Sequence, residues 1–118
     1  MRIILTVVFT LAGLSLAQAH AFLDHADPKV GGTLKGSPSV VRAWFTEELE
    51  PAFSKIRVFD AQGTEVDKKD VKVDSADKTL MSVSLPQLPA GAYKVKWSAV
   101  AVDTHHTTGT FTFTVTGT

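Results

Sequence analysis

A chain of 118 residues with no cysteine holds no disulfide, thiolate ligand or thiol nucleophile, so its fold must rest on its core. Its 12 acidic and 12 basic side chains cancel, and no basic stripe is present to attract nucleic acid. After residue 19 there is no heptad and no sustained 3.6-residue apolar period, and strand patterns dominate instead.

In chain order, Arg2 supplies a short positive start and Ile3 to Leu16 is almost wholly apolar. Ala17-Gln18-Ala19 then reads as a small-x-small cleavage site. The apolar stretch is short for a membrane span, which needs roughly 20 apolar residues. Residues 1–19 are therefore expected to be a signal peptide cleaved after Ala19, with an uncleaved anchor as the alternative. Cleavage makes His20 the first residue of the mature protein, and residues 20–118 one domain large enough to build a core without staples.

Val40 to Phe45 is a β-rich run between Gly36-Ser37-Pro38 and the acidic stretch Glu47 to Pro51. Lys55 to Asp60 is another, closed by the turn-like Asp60-Ala61-Gln62-Gly63. Asp67 to Lys78, rich in Asp and Lys, reads as a solvated loop with room for an edge strand. Thr79 to Leu85 alternates until Pro86 to Gly91 breaks it. Tyr93 to Ala99 alternates apolar groups with lysine. Thr110 to Thr116 keeps a strict period of two, with Phe111, Phe113 and Val115 on the buried face. Short strands separated by turn signals predict an all-β fold, a Greek-key antiparallel β-sandwich or barrel of immunoglobulin-like type. Trp44, Trp97, Phe45, Phe111 and Phe113 are the expected core, each able to bury roughly 150–250 Å².

The chemistry-bearing residues lie at the two ends of the mature chain. A free N-terminal His20 would offer its α-amine and its imidazole Nδ1 to one metal ion as a six-membered chelate, and cleavage is what frees that amine. Imidazole suits copper, zinc, iron and nickel, and Cu²⁺ binds nitrogen donors most strongly among divalent first-row ions. At the other end, in Val102-Asp103-Thr104-His105-His106, an extended backbone would project Asp103 and His105 to one face and His106 to the other. The plainer alternative is a polar turn in which Asp103 bonds nearby amides. His25, between Asp24 and Asp27, reads as a surface histidine or as a weak accessory metal contact.

The whole mature chain resembles the CopC family of small periplasmic copper-binding proteins. The likeness runs through His20-Ala21-Phe22-Leu23, Asp27 to Gly31, Trp44 to Leu49 and Leu88 to Trp97. It ends with Ser98 to His105 and Gly109 to Val115; the patterns Y-x-V-x-W, D-x-H and G-x-F-x-F-x-V are its most diagnostic part. The resemblance implies a CopC-like, cupredoxin-type topology and one Cu(II) per chain, held by His20, Asp103 and His105. Glu47 matches a family glutamate placed in or beside the site, though it also fits a solvated acidic turn. His106 stands where relatives often have proline, and is expected to be exposed, to substitute as a ligand or to capture a second metal. Met81, inside a strand-like run, is the one methionine after the predicted cleavage site, so the methionine-rich Cu(I) loop of some relatives is not expected.

The leading functional expectation is a periplasmic, monomeric, non-enzymatic Cu(II) carrier or buffer in copper resistance or homeostasis. Three nitrogens and a carboxylate saturate the equatorial positions of Cu(II), which favours holding over reactivity. Its partners are expected to be the copper ion and an inner-membrane copper transporter or another periplasmic copper protein, with no nucleic acid. Two alternatives remain open. One is a copper monooxygenase built on an N-terminal histidine chelate, which needs an open position for oxygen. The other is a metal-free immunoglobulin-like assembly module, which predicts no stoichiometric copper.

Overall fold

The structure is a computed structural model and describes residues 21–117. The expectations for the signal peptide and for His20 therefore fall outside the described residues.

Eight strands build two four-stranded sheets. They are β1 (Leu23–Asp27), β2 (Gly32–Lys35), β3 (Val40–Phe45), β4 (Lys55–Phe59), β5 (Lys72–Val73), β6 (Leu80–Ser84), β7 (Gly91–Val100) and β8 (His106–Thr116). The first sheet has the order β1-β3-β6-β5 and the second β2-β8-β7-β4. Most connections cross from one sheet to the other, the sandwich topology expected from the sequence. The sheets are not purely antiparallel, because β2 lies parallel to β8, with Gly32 opposite Phe113 and Lys35 opposite Thr116. The turn after β1 carries the chain between sheets, and the amide of Gly31 (φ 71°) already donates to the Thr112 carbonyl at 2.7 Å.

Alternation decides what enters the core. Val41, Ala43 and Phe45 of β3, Ile56 and Val58 of β4, and Met81 and Val83 of β6 are buried. They face Tyr93, Val95, Trp97 and Ala99 of β7 and Phe111, Phe113 and Val115 of β8. The same alternation corrects one expectation. With Val41, Ala43 and Phe45 inward, Trp44 must point outward. It is half-buried, stacked under His25 with ring centroids 4.4 Å apart and planes 7° from parallel. Trp97 takes the core position and meets Phe45 edge-on at 5.1 Å.

Two polar contacts pin the sandwich. The Tyr93 hydroxyl donates to the Pro89 carbonyl at 2.6 Å, a corner of the kind found in immunoglobulin-like domains. Asp67 departs from the solvated loop expected over 67–78: it is buried, and accepts the amide protons of Val58 (2.8 Å) and Lys69 (3.1 Å). Burial pushes the Asp67 carboxyl up from its ordinary value, while the Arg57 guanidinium holds neighbouring Glu65 down. The edge strand for which that loop had room is β5, paired with β6.

Candidate metal centre at the end of the sandwich

The connection from β7 to β8 is five residues long and turns sharply. The Thr104 amide donates to the Ala101 carbonyl at 2.8 Å, and the Ala101 amide to the His105 carbonyl at 3.0 Å. Thr104 has φ 78°, a region that a β-branched residue rarely enters. Such a residue costs of order 1–3 kcal/mol and persists only when its surroundings hold it. Of the two readings the sequence left open, the segment is thus the polar turn and not the extended strand, and strand parity is not what places its side chains.

The turn nevertheless brings Asp103 and His105 together. Asp103 Oδ2 lies 3.1 Å from His105 Nδ1, and Oδ1 accepts the His105 amide proton at 3.2 Å. Asp103 therefore does what a turn aspartate does and also fixes an imidazole. A carboxylate at Nδ1 favours the Nδ1–H tautomer, whose Nε2 carries the lone pair that a metal needs. His106 opens β8 opposite Val100 and turns away. Its Nε2 lies 2.7 Å from Ser98 Oγ on the exposed face of the second sheet.

Three further segments are tied to this end. Thr107 sits inward on β8, and its hydroxyl donates to the carbonyl of Ala21, which is completely buried. The next residue, Phe22, donates its amide proton to Thr46 Oγ1 at 3.0 Å and accepts the Thr46 amide proton at 2.9 Å. The acidic loop after Thr46 closes on the turn: the Val102 amide donates to the Glu48 carbonyl, and Leu49 bridges Ala101. Small residues make the closure possible, since Ala21, Ala99 and Ala101 are all buried where these segments meet. Glu47 is exposed on this loop, next to the Phe22–Thr46 pair. Residues 46–54 and 101–107 hold Glu47, Glu48, Glu50 and Asp103 with no Lys or Arg, a field that favours a cation.

His25 stands apart on β1, its Nδ1 2.7 Å from Asp24 Oδ2 and its ring on Trp44. Among the described residues no cluster of three or more His, Asp, Glu or Cys is close enough to hold a metal ion. Asp103 and His105 are thus a pair that needs further donors. Sequence reasoning missed Thr107 as the clasp. Its signal was available, because the period of two through Val115, Phe113 and Phe111 runs back through Gly109 to Thr107 on the same inner face.

These features define an all-β sandwich that presents a carboxylate–imidazole pair at one end, close to where its first described residues dock. The profile of the CopC domain family matches residues 23–116, and the chain belongs to that family. It is 31% identical over 98 residues to the copper transport protein CutJ of Bacillus subtilis (strain 168), covering 82% of this chain but 18% of that longer protein. It is 33% identical over 107 residues to copper resistance protein C of Pseudomonas syringae pv. tomato, covering 86% of this chain and 84% of the relative. The crystal structure of CopC from Methylosinus trichosporium OB3b superposes with a TM-score of 0.78 at 31% identity, over 83% of this chain and 95% of that one. The family is one of copper resistance and copper transport proteins.

Proposed function

We propose that this chain is exported, cleaved after Ala19, and serves in the periplasm as a monomeric, non-enzymatic carrier or buffer for one Cu(II) ion. His20 supplies its α-amine and imidazole, and Asp103 and His105 complete the donor set. The observation that carries this reading is the Asp103–His105 pair at 3.1 Å, on a turn whose neighbour Thr107 clasps Ala21. Ala21 directly follows His20 in the sequence, so the clasp anchors the chain where the N-terminal donors begin. The donor set of imidazole, amine and carboxylate suits Cu(II), and the carboxylate-rich loop favours a divalent cation. Holding copper for an inner-membrane transporter or another periplasmic copper protein follows from a site of this kind, and resembles the roles named for the relatives. His106 is assigned no direct contact with copper, since it faces Ser98, and Glu47, on the loop beside the Phe22–Thr46 pair, is kept outside the minimal donor set.

The test is a Cu(II) titration of the processed protein, with mass spectrometry confirming His20 as the first residue. One equivalent should bind. A version carrying an extra Met before His20 should bind far more weakly, because its amine becomes an amide. His105→Ala should lose most of the affinity and alter the electron paramagnetic resonance spectrum, whereas His106→Ala should leave both nearly intact. Equal affinity with and without the extension, or a greater loss from His106→Ala, would overturn the assignment.

A further inference from the structure

The exposed face of the second sheet is unusually cationic for a chain whose charges balance. The β4·β7 register sets Lys55 opposite Ser98, Arg57 opposite Lys96, and Phe59 opposite Lys94. The β7·β8 register continues these rows into Thr108, Thr110 and Thr112, and Lys35 on β2 extends the face beside Thr116. All five cations are exposed. Lys35, Lys55, Lys94 and Lys96 make no ion pair among the described residues, and Arg57 is joined to Glu65 at 3.1 Å. Asp60 lies at the margin, where its carboxylate is occupied by the amides of Gln62 and Thr64.

Folding does not require this arrangement. Like charges placed directly opposite across two strands destabilise a sheet, and Arg57 and Lys96 are such a pair. Both lean on the half-buried ring of Phe59, at 5.2 and 5.0 Å from its centroid. Lysines on edge strands serve to block unwanted strand pairing. That accounts for Lys55 and Lys35 but not for Lys94 and Lys96, because β7 is an inner strand. The face also lacks the centre of a protein interface, which is typically apolar or aromatic and poor in lysine. Its one large apolar group, Phe59, is covered by two cations. Of the exposed large apolar side chains, Phe22, Phe53 and Val102 belong to segments at the end of the sandwich and Val30 to the turn after β1.

We propose that the outer face of β4, β7 and β8 docks this protein on an anionic lipid bilayer. A sheet face of hydroxyls and spaced, exposed cations complements a surface of phosphate-bearing headgroups in charge. Each cation near such a surface is worth about fivefold in partitioning, an effect that fades within a Debye length of about 8–10 Å. His106 ends the same face, so docking would leave the Asp103–His105 turn at the margin of the contact. The inference does not depend on metal.

The test uses the protein recovered after export, with its N-terminus verified, and vesicles of phosphatidylcholine with or without about one third phosphatidylglycerol. Co-sedimentation should occur with the anionic vesicles alone and disappear as salt rises from about 0.05 M to about 0.5 M. Replacing Lys94 and Lys96 together by Gln should weaken binding about 25-fold. Replacing Lys72 and Lys78, which lie off this face, should change it by far less. The protein with both Lys94 and Lys96 replaced by Gln should still unfold cooperatively at a Tm close to the parent's, because relief of the Arg57–Lys96 repulsion and loss of the Lys96–Phe59 contact are small and opposed, and this shows that lost binding is not lost folding. Absence of binding to anionic vesicles, or equal losses from both double replacements, would overturn the proposal. Binding to immobilised polyglutamate as strongly as to the vesicles, lost in the same variant, would do so as well, because the face would then be fitted to an acidic protein.

Discussion

Gly109→Ala should destabilise this protein through a single side chain. Gly109 lies opposite Trp97 in the β7·β8 ladder, and the indole covers the space where a side chain would stand. A Cβ built on Gly109 falls 2.4 Å from Trp97 Cζ2, 2.7 Å from Cε2 and 3.0 Å from Nε1. Carbon atoms prefer about 3.5–4.0 Å, so the ring must retreat by roughly 1 Å. It cannot retreat inward freely, because Phe45 supports it edge-on at 5.1 Å. Overpacking of this kind costs about 1–3 kcal/mol. The ceiling is full expulsion of the indole, which at about 25 cal/mol per Å² over roughly 150–250 Å² is about 4–6 kcal/mol. For a domain of about 100 residues the expected range lowers Tm by roughly 5–20 °C. The assay is thermal and urea unfolding followed by tryptophan fluorescence, run as a double-mutant cycle with Trp97→Leu. With the indole gone, Gly109→Ala should cost less than about 0.5 kcal/mol, leaving a coupling of about 0.5 kcal/mol or more. Equal costs in both backgrounds, or no cost in either, would refute the steric account of this glycine.

Other substitutions probe separate contacts. Tyr93→Phe removes the 2.6 Å bond to the Pro89 carbonyl and should cost about 1 kcal/mol, read as a fall in Tm of about 4–8 °C; an unchanged Tm would mean that the corner carries no stability. Thr107→Val leaves the buried Ala21 carbonyl without its donor and should cost about 1–3 kcal/mol, with faster hydrogen exchange at the Phe22 and Thr46 amides. If exchange there is unaltered, Thr107 is not the clasp. Asp67 and Glu65 should pull the pH dependence of stability in opposite directions. The folded chain protonates Asp67 more readily than the unfolded chain does, so this group adds stability as pH falls through its raised folded value toward its ordinary 3.8. Glu65, held below its ordinary 4.5, contributes stability that is lost as pH falls through its lowered folded value. In urea unfolding across the acid range, Asp67→Asn should abolish the first effect and keep the part of the second that the Arg57 guanidinium supplies; an unchanged profile would contradict the assignment.

Five strands were legible: β6, β7 and β8 because burial on one face of a sheet imprints a period of two, and β3 and β4 as β-rich runs between turn signals. Strands β1 and β2 did not show, since Ala26 is the one buried residue of β1 and none of β2 is fully buried. Asp103 and His105 could be paired from spacing alone, but the reason was not the one that spacing suggests. Two residues apart, they meet through a tight turn with Thr104 at positive φ, and that backbone state is set by what surrounds it. Trp44 and Trp97 look equally fit for the core in composition. Which of them enters is decided by register, one facing His25 and the other Phe45. A local pattern records which face of a strand is apolar. It does not record which strands become neighbours, and so the Ala21–Thr107 clasp, the burial of Asp67 and the gathering of cations around Phe59 appear only when the two sheets are assembled.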